Sequence, residues 1–245
     1  MQAYIGEVNT KETPLSDTST VIYFAGCDFN CGFCNSLNFH DPRSEFLIDL
    51  REIKIQIEEN DADVYFTGGE PCLQRQALLD LARFSRKCGK KTGIDFNGSK
   101  PECLVSLLTE GLIDFVRMDL HAPLQENAFE KATRSKTFFI QTQDIMENVK
   151  KSLEVLRTHQ DEIRIEFATY IVPGIMFRIE DLLDIAKEIR FIKSEWVLKP
   201  FRPGENLLDG SLKSIEPPSE KFLINLKNAI LKEYHTLRIR IEGYD

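Results

Sequence analysis

The sequence has no long hydrophobic run and no recognisable leader. None of the apolar stretches in its 245 residues approaches the length of about eighteen residues that indicates a membrane-spanning helix. The N-terminal residues 1–8 show no basic region followed by an apolar segment, which a secretory signal would have. We therefore expect a chain that neither crosses a membrane nor is exported, and we expect a cytoplasmic location.

The cysteines do not indicate disulfides, and the net charge is modestly acidic. Six cysteines without a signal peptide are typical of a reducing compartment and do not indicate a disulfide framework. The formal net charge of −8 does not indicate an extended nucleic-acid surface, although a local one stays compatible with that sum. The hydrophobic content of 42% is ordinary for a globular protein, and no repeat or low-complexity tract divides the chain.

Apolar, β-rich runs alternate with helical patterns along the chain. The predicted strands are Val21–Ala25, Val64–Thr67, Thr92–Phe96, Phe115–Leu120, Ile163–Ile171 and Trp196–Pro200, followed by a last strand-like run, Leu237–Glu242. The predicted helices are Asp49–Glu59, Gln74–Lys87, Pro101–Glu110, Ile145–Thr158, Ile179–Phe191 and Ser219–Tyr234. The alternation predicts an α/β fold with a parallel sheet, and six units are too few for a full eight-fold barrel. Residues 124–144 are predicted to be a surface excursion, and residues 200–218 a long loop.

Three cysteines stand close together just after the first predicted strand. Cys27, Cys31 and Cys34 have the spacing C-x3-C-x2-C. Three thiolates can bind three irons of a cube-shaped iron–sulfur cluster and leave the fourth iron open, whereas electron-transfer clusters usually have four cysteine ligands. The alternatives are a zinc site or plain thiols. Structural zinc normally takes four ligands, and His40, the nearest candidate for a fourth, stands alone.

Polar segments follow the next predicted strands. Thr67–Pro71 reads Thr-Gly-Gly-Glu-Pro, in which two glycines allow close backbone approach and the glutamate could accept an amine. Residues 95–98 read Asp-Phe-Asn-Gly, which alone is typical of a turn. Asp119 ends an apolar strand, where a buried carboxylate needs a partner, and His121 two residues later is in isolation an ordinary polar residue.

The cysteine spacing, with Phe33 before the last cysteine and the motif directly after a strand, resembles that of radical S-adenosylmethionine (SAM) enzymes. The resemblance implies a partial (β/α)6 TIM-like barrel, open on one side, built as a single radical SAM domain over residues 1–245. It also implies a [4Fe–4S] cluster held by the three cysteines, whose open iron binds the amine and carboxylate of SAM.

The order of all the motifs resembles that of the glycyl-radical-enzyme activating proteins, in the branch related to the activating proteins of anaerobic ribonucleotide reductase and pyruvate formate-lyase. The residues that this resemblance implies for binding SAM are Phe33, Gly68, Gly69, Glu70, Pro71, Asp95, Asn97, Asp119, His121 and Val172. The chain departs from the family pattern in four places. Phe96 stands where the family usually has Thr, and His121 where it has Lys. The stretch before the cysteines lacks the Gly-rich signature, and Asn35-Ser36 follows Cys34 where His-Asn is common. In the pyruvate formate-lyase activase, the segments that correspond to residues 95–98 and 119–121 also supply ligands to a monovalent cation. Whether such a site exists here stays open.

The resemblance implies an anaerobic oxidoreductase. An external donor such as flavodoxin or ferredoxin supplies an electron, SAM is cleaved reductively, and the resulting 5′-deoxyadenosyl radical takes a hydrogen atom from a glycine of a partner glycyl-radical enzyme. A second hypothesis keeps the chemistry and changes the substrate to a small molecule or an RNA nucleotide. A third, of another class, is a non-catalytic metal-binding module.

Overall fold

A nine-stranded sheet organises the chain, in a computed structural model that describes residues 1–244. The strands are β1 (Gln2–Lys11), β2 (Ser19–Phe24), β3 (Leu47–Asp49), β4 (Asp63–Gly68), β5 (Thr92–Phe96), β6 (Phe115–Asp119), β7 (Arg164–Ile171), β8 (Glu195–Pro200) and β9 (Arg238–Ile241). Their order is β3-β1-β2-β4-β5-β6-β7-β8-β9. From β2 to β9 all neighbours are parallel. Within the described residues the outermost strands β3 and β9 do not pair, so the predicted partial barrel, open on one side, is confirmed.

Within residues 1–244, seven α-helices accompany the strands. They are α1 (Leu50–Glu59), α2 (Arg75–Lys87), α3 (Pro101–Thr109), α4 (Glu126–Thr133), α5 (Thr142–Thr158), α6 (Ile179–Ile189) and α7 (Glu220–Glu233). Six of them match predicted helices to within a few residues. None of the helices that the structure describes has both the length and the apolar character needed to cross a bilayer.

Three elements were missed from the sequence. Strand β1 pairs antiparallel with β2 and with the short β3, but only Ala3 and Ile5 of β1 are buried, so its apolar pattern is too brief to notice. Helix α4 lies inside the stretch that was expected to be a patternless excursion. Its buried face consists of Phe129, Ala132 and Thr133, too few residues to give a helical period.

Helix α5 begins three residues before its predicted start. Gln141 and Asp144 form a capping box there, in which each side chain bonds the other residue's backbone. Such a box satisfies amide groups that the first helical turn leaves without partners. The apolar pattern alone begins only at Ile145, which explains the late prediction.

The two faces of the sheet differ in chemistry. Alternate residues of β4 illustrate this, because Val64 and Phe66 belong to the apolar core while Tyr65 and Thr67 line an open cavity on the other face. On the core side the helices bury apolar stripes, such as Ile53 and Ile57 of α1. The hydrophobic core therefore lies between the sheet and its helices, and the other face is free for polar residues.

A hydrogen-bonded pair in the core links three adjacent strands. The indole N–H of Trp196 on β8 donates to Oγ1 of Thr169 on β7 (3.0 Å), and that hydroxyl donates to the carbonyl oxygen of Leu120, just after β6 (3.0 Å). Both side chains are fully buried. Without the hydroxyl, the indole N–H and the carbonyl would each lack this partner in a place that water does not reach.

We predict that Thr169→Val lowers the free energy of unfolding by about 1–3 kcal/mol, because it leaves buried polar groups unpaired at nearly constant volume. Thr169→Ser, which keeps the hydroxyl, should lose less. Urea unfolding followed by circular dichroism measures both variants. Equal stability of the Val variant and the parent protein would contradict the assigned role of this hydroxyl.

Candidate cofactor site

The cysteine loop begins where β2 ends, and a returning segment holds it at its base. The N–H of Gly26 donates to the carbonyl oxygen of Phe39 (2.8 Å), and the N–H of Cys27 donates to that of His40 (3.0 Å). Inside the loop, the N–H of Cys34 donates to the carbonyl oxygen of Cys31 (3.1 Å). The backbone of the loop is thus fixed at its start, and it forms a tight turn between Cys31 and Cys34 near its end.

The Gly-Gly-Glu segment after β4 is bonded to the same place. The N–H of Gly69 donates to the carbonyl oxygen of Phe24 (2.8 Å), and the N–H of Glu70 donates to that of Gly26 (2.7 Å). A Cβ atom on Gly69 would lie 2.3 Å from the oxygen of Gly26, and Gly68 has a φ of +118°. The chain's own backbone therefore already requires both glycines, where the sequence suggested only room for a ligand.

A cavity of about 170 Å³ lies inside this frame. The three cysteines of the loop line it together, with Cys31 buried and the other two half-buried. Its other lining residues are Phe29, Phe33, Asn35, Ser36, His40, Thr67, Gly68, Gly69, Asp95, Phe96, Asn97, Asp119, His121 and Tyr170. Burial raises the pKa of all three thiols above the ordinary value.

Glu70 points away from the cavity and joins two loops. One carboxylate oxygen accepts from the N–H of Cys72 (2.8 Å) and the other from the N–H of Asn97 (2.7 Å). Burial raises the pKa of Glu70 to about 8, and the charge of Asp28 acts in the same direction, while the two N–H donors oppose it. Glu70 therefore acts as a buried bridge between the ends of β4 and β5.

Two carboxylates face the cavity from neighbouring strands. Asp95 accepts hydrogen bonds from the hydroxyls of Tyr65 (2.5 Å) and Thr67 (3.1 Å). Burial, reinforced by the charge of Asp95, raises the pKa of Asp119 to about 7, although Lys199 lowers it. The wall is thus a place where a cation or an ammonium group would be favoured.

His121 has an apolar surrounding. Its ring meets those of Phe29 (5.5 Å between centroids) and Phe33 (6.0 Å) edge-on. Burial lowers the pKa of His121 to about 4, so the ring is neutral at pH 7. Where the resemblance implied a charged Lys, the pocket therefore holds a neutral ring.

Both long connections pack against the far side of the cysteine loop. The N–H of Asp209 donates to the carbonyl oxygen of Gly32 (3.1 Å), and Asp209 pairs with Arg134 at the end of α4 (2.5 Å). The amide of Asn35 donates to the carbonyl oxygen of Arg202 (3.1 Å). Two residues of the predicted long loop, Arg202 and Asp209, thus contact the cysteine loop.

A second, larger cavity adjoins the first. It has a volume of about 760 Å³, lies on the polar face of the sheet and shares Ser36, Thr67, Asp95 and Tyr170 with the cysteine cavity. Its charged lining residues form ion pairs, including Arg117 with Glu166 and Arg240 with Glu166 and Glu242. A molecule in the larger cavity would therefore meet the smaller one through a polar junction.

A family model described as "Radical SAM superfamily" matches residues 21–189, which is more than half of the chain and includes every strand from β2 to β7 except a few terminal residues. This chain belongs to the radical SAM superfamily. Members of this family use a [4Fe–4S] cluster and SAM, and these are its cofactors.

Three further similarities describe this radical SAM protein's relatives. A Methanocaldococcus jannaschii protein, provisionally named a glycyl-radical enzyme activating enzyme, is 28% identical over 236 residues, which covers 94% of this chain and 91% of that protein. A 7-carboxy-7-deazaguanine synthase of Clostridium acetobutylicum is 29% identical over 164 residues, covering 64% and 70%. The crystal structure of a radical SAM methyltransferase from Sphaerobacter thermophilus superposes with a TM-score of 0.67 at 14% identity, covering 95% of this chain and 68% of that one, which shows the shared fold.

The three thiols that line the cavity suit the cluster of the family, since cysteine thiolates are the usual ligands of iron–sulfur clusters. Among residues 1–244, no group of three His, Cys, Asp or Glu side chains converges closely enough to hold one metal ion. Three thiols that each bind a different iron of a cube stand further apart than the ligands of one ion, so lining a common cavity without converging suits the cluster. Nε2 of His40 lies 3.0 Å from the carbonyl oxygen of Phe29, and Nδ1 lies 3.0 Å from a carboxylate oxygen of Asp41. Both ring nitrogens thus have partners, so His40 is not positioned as a fourth ligand. Since buried neutral thiols must lose protons to bind iron, cluster assembly releases protons.

The structure brings most of the predicted site residues together. Ten of them line the cysteine cavity: Cys27, Cys31, Phe33, Cys34, Gly68, Gly69, Asp95, Asn97, Asp119 and His121. Three do not line it. Glu70 bridges loops as described, Pro71 is buried at the start of a short 3-10 turn, and Val172 is buried and paired with Met176.

Seven residues that line the cavity were not among the predicted site residues: Phe29, Asn35, Ser36, His40, Thr67, Phe96 and Tyr170. Two of them show what the sequence could and could not reveal. Phe29 lies within the cysteine motif, and its aromatic character next to a cluster loop could have been noted. Tyr170 lies near the end of a predicted strand, where functional residues of such barrels gather, but it is one of several strand residues with the same pattern.

We predict that Gly69→Ala destabilises the radical SAM protein by about 1–3 kcal/mol, since a Cβ there would overlap the backbone oxygen of Gly26. Because that oxygen belongs to the start of the cysteine loop, iron uptake on anaerobic reconstitution should fall as well. Gly210→Ala is the matched control, as a Cβ at Gly210 has nothing within 4 Å. Thermal unfolding and iron content are the measurements, and equal values for the two variants would contradict the proposed role of Gly69.

Proposed function

We propose that this radical SAM protein is an activating enzyme that removes a hydrogen atom from a glycine of a partner glycyl-radical enzyme. The observation that carries the proposal is the similarity along nearly the whole length, 94% of this chain, to the M. jannaschii protein provisionally named an activating enzyme. The sheet leaves one side unclosed, which suits a polypeptide loop reaching toward the cysteine cavity.

We infer a division of work among the site residues. Cys27, Cys31 and Cys34 would bind three irons of the cluster. When bound, the cluster and SAM supply the one-electron reductive cleavage of SAM that yields methionine and a 5′-deoxyadenosyl radical. Phe33, Gly68, Gly69, Asp95, Asn97, Asp119 and His121 would surround SAM, with Glu70, Pro71 and Val172 supporting them from behind.

Asp95 and Asp119 would attract the positive charge of SAM. The sulfonium of SAM near Asp119 would favour the charged form of that carboxylate, so binding would reverse part of the rise in the pKa of Asp119. The neutral ring of His121, held by Phe29 and Phe33, would offer an uncharged surface to SAM. Positioning is the protein's main contribution, because the radical must meet one C–H bond and no other.

The proposed reaction balances with one external electron. A flavodoxin or ferredoxin would donate that electron, and the carbon–sulfur bond of SAM would break. The hydrogen atom taken from the glycine Cα would end on the 5′ carbon as 5′-deoxyadenosine, leaving the unpaired electron on the glycine. We infer an anaerobic, cytoplasmic setting and a single domain over residues 1–245.

A second candidate is a radical SAM enzyme for a small polar molecule. The cavity of about 760 Å³ favours it, because its walls carry tyrosines and ion pairs and it joins the cysteine cavity directly. The similarity to 7-carboxy-7-deazaguanine synthases points the same way. The volume falls in the range of pockets for drug-sized ligands.

The first experiment reconstitutes the protein anaerobically with iron and sulfide, reduces it with dithionite and adds SAM. We predict 5′-deoxyadenosine, and its absence in Cys31→Ala, which lacks one of the three thiols. With a glycyl-radical enzyme of the same organism present, the activase proposal predicts the EPR doublet of a glycyl radical. Glycine deuterated at Cα in the partner should place deuterium in 5′-deoxyadenosine.

Other results would select the other hypotheses. If 5′-deoxyadenosine forms only with the small-molecule fraction of an anaerobic extract and no glycyl radical appears, the second candidate replaces the first. If SAM changes neither the EPR spectrum of the reduced cluster nor its own concentration, the protein is a non-catalytic metal-binding module.

A further inference from the structure

Asp28, the residue directly after the first cysteine, reaches across to the loop that follows β5. One carboxylate oxygen accepts from the side-chain amide of Asn97 (2.8 Å). The other accepts from the hydroxyl of Ser99 (2.7 Å) and pairs with the ammonium of Lys100 (3.0 Å). The Asp28 side chain is 19% exposed, so solvent screens these contacts only in part. Hydrogen bonds to an ionised carboxylate are about twice as strong as neutral ones.

The receiving loop is itself built to hold this carboxylate. The side-chain oxygen of Asn97 accepts from the N–H of Ser99 (2.9 Å), so the amide's NH2 group is turned toward Asp28. The carbonyl oxygen of Gly98, whose φ is +82°, accepts from the buried hydroxyl of Ser152 on α5 (2.8 Å). The donors are therefore held in position by their own hydrogen bonds. The contact with Asp28 thus keeps a fixed length, unlike an ion pair between two flexible surface side chains.

This contact lies between the two halves of the cofactor site. Cys27 and Asn97 line the same cavity, one from the cysteine loop and one from the loop after β5. Glu70 fixes the backbone of Asn97, and Asp28 fixes its side chain. A change at Asp28 would therefore alter the separation of the two loops without removing any cavity-lining group.

We propose that Asp28 is a positioning residue whose carboxylate holds the cluster-binding loop against residues 97–100 and so sets the geometry between the cluster and SAM. The proposal depends on the cofactors of the family and not on the substrate, so it stands or falls separately from the activase proposal. Residues that orient the ligands of a metal site from outside typically change affinity or activity 10–100-fold when they are removed.

The test compares Asp28→Ala with Asp28→Asn in the reconstituted, reduced protein. Affinity for SAM is measured by titrating SAM against the EPR spectrum of the cluster. We expect Asp28→Ala to weaken SAM binding by about 10–100-fold and to change the SAM-induced shift in the spectrum. Asp28→Asn keeps one acceptor for Asn97 but loses the partner of Lys100, so we expect a smaller loss, about tenfold.

Two controls separate positioning from charge and from stability. Glu45→Gln removes an exposed carboxylate that forms an ion pair with Arg43, and it should leave SAM affinity unchanged. Ile57→Ala removes a buried side chain of α1, away from the cysteine cavity, and lowers stability, so it shows how much SAM affinity a merely weaker fold costs. Ser99→Ala should add little to Asp28→Ala, since both remove the same contact.

Three results would overturn the proposal. One is that both Asp28 variants bind SAM with an affinity within a factor of about two of the parent protein and show the same SAM-induced shift in the EPR spectrum. Another is a loss no larger than that of Ile57→Ala. If neither variant takes up iron, amide hydrogen exchange of the cluster-free protein decides. Faster exchange in residues 97–100 supports the proposal, and unchanged exchange there overturns it.

Discussion

Two backbone hydrogen bonds hold the ends of β2 and β4 so close together that no side chain fits between them. The N–H groups of Gly69 and Glu70 reach the carbonyl oxygens of Phe24 and Gly26, and the cysteine loop starts at that point. Because the two strands are parallel neighbours, their carboxyl ends are adjacent anyway, and the glycines convert this adjacency into contact. The direction in which the cysteines leave the sheet, and thus the cavity that they line, depends on this contact.

The polar face of the sheet carries a different kind of order. Arg117 is buried among Glu166, Asp95 and Glu242. Burial alone would lower the pKa of Arg117, but these negative charges outweigh it and hold the pKa above its ordinary value. Pairs of this kind return much of the cost of removing charge from water but add little net stability. Their value here is a polar cavity of defined shape beside the cysteines. The stability of the fold must come from the opposite, apolar face.

The sequence was most informative where apolar periodicity was strong. Seven parallel strands and six helices followed from it, since each buries a regular face. Strand β1 and helix α4 bury too few residues to produce a period, and so they stayed hidden. At the site, cysteine spacing located the loop, but spacing does not say which side chains turn outward. Glu70 faces the protein interior, and the partners of Asp28 lie about seventy residues away in sequence. Such contacts follow only from the order of strands in the sheet.

The contacts of the cysteine loop come from distant parts of the chain, and this has a consequence for biogenesis. Asn35 of the loop is separated from its partner Arg202 by more than 160 residues, and Asp209 lies further along still. On a ribosome the three thiols therefore emerge before the segments that pack against their loop. The loop reaches its final surroundings only when the chain has been made at least as far as Asp209.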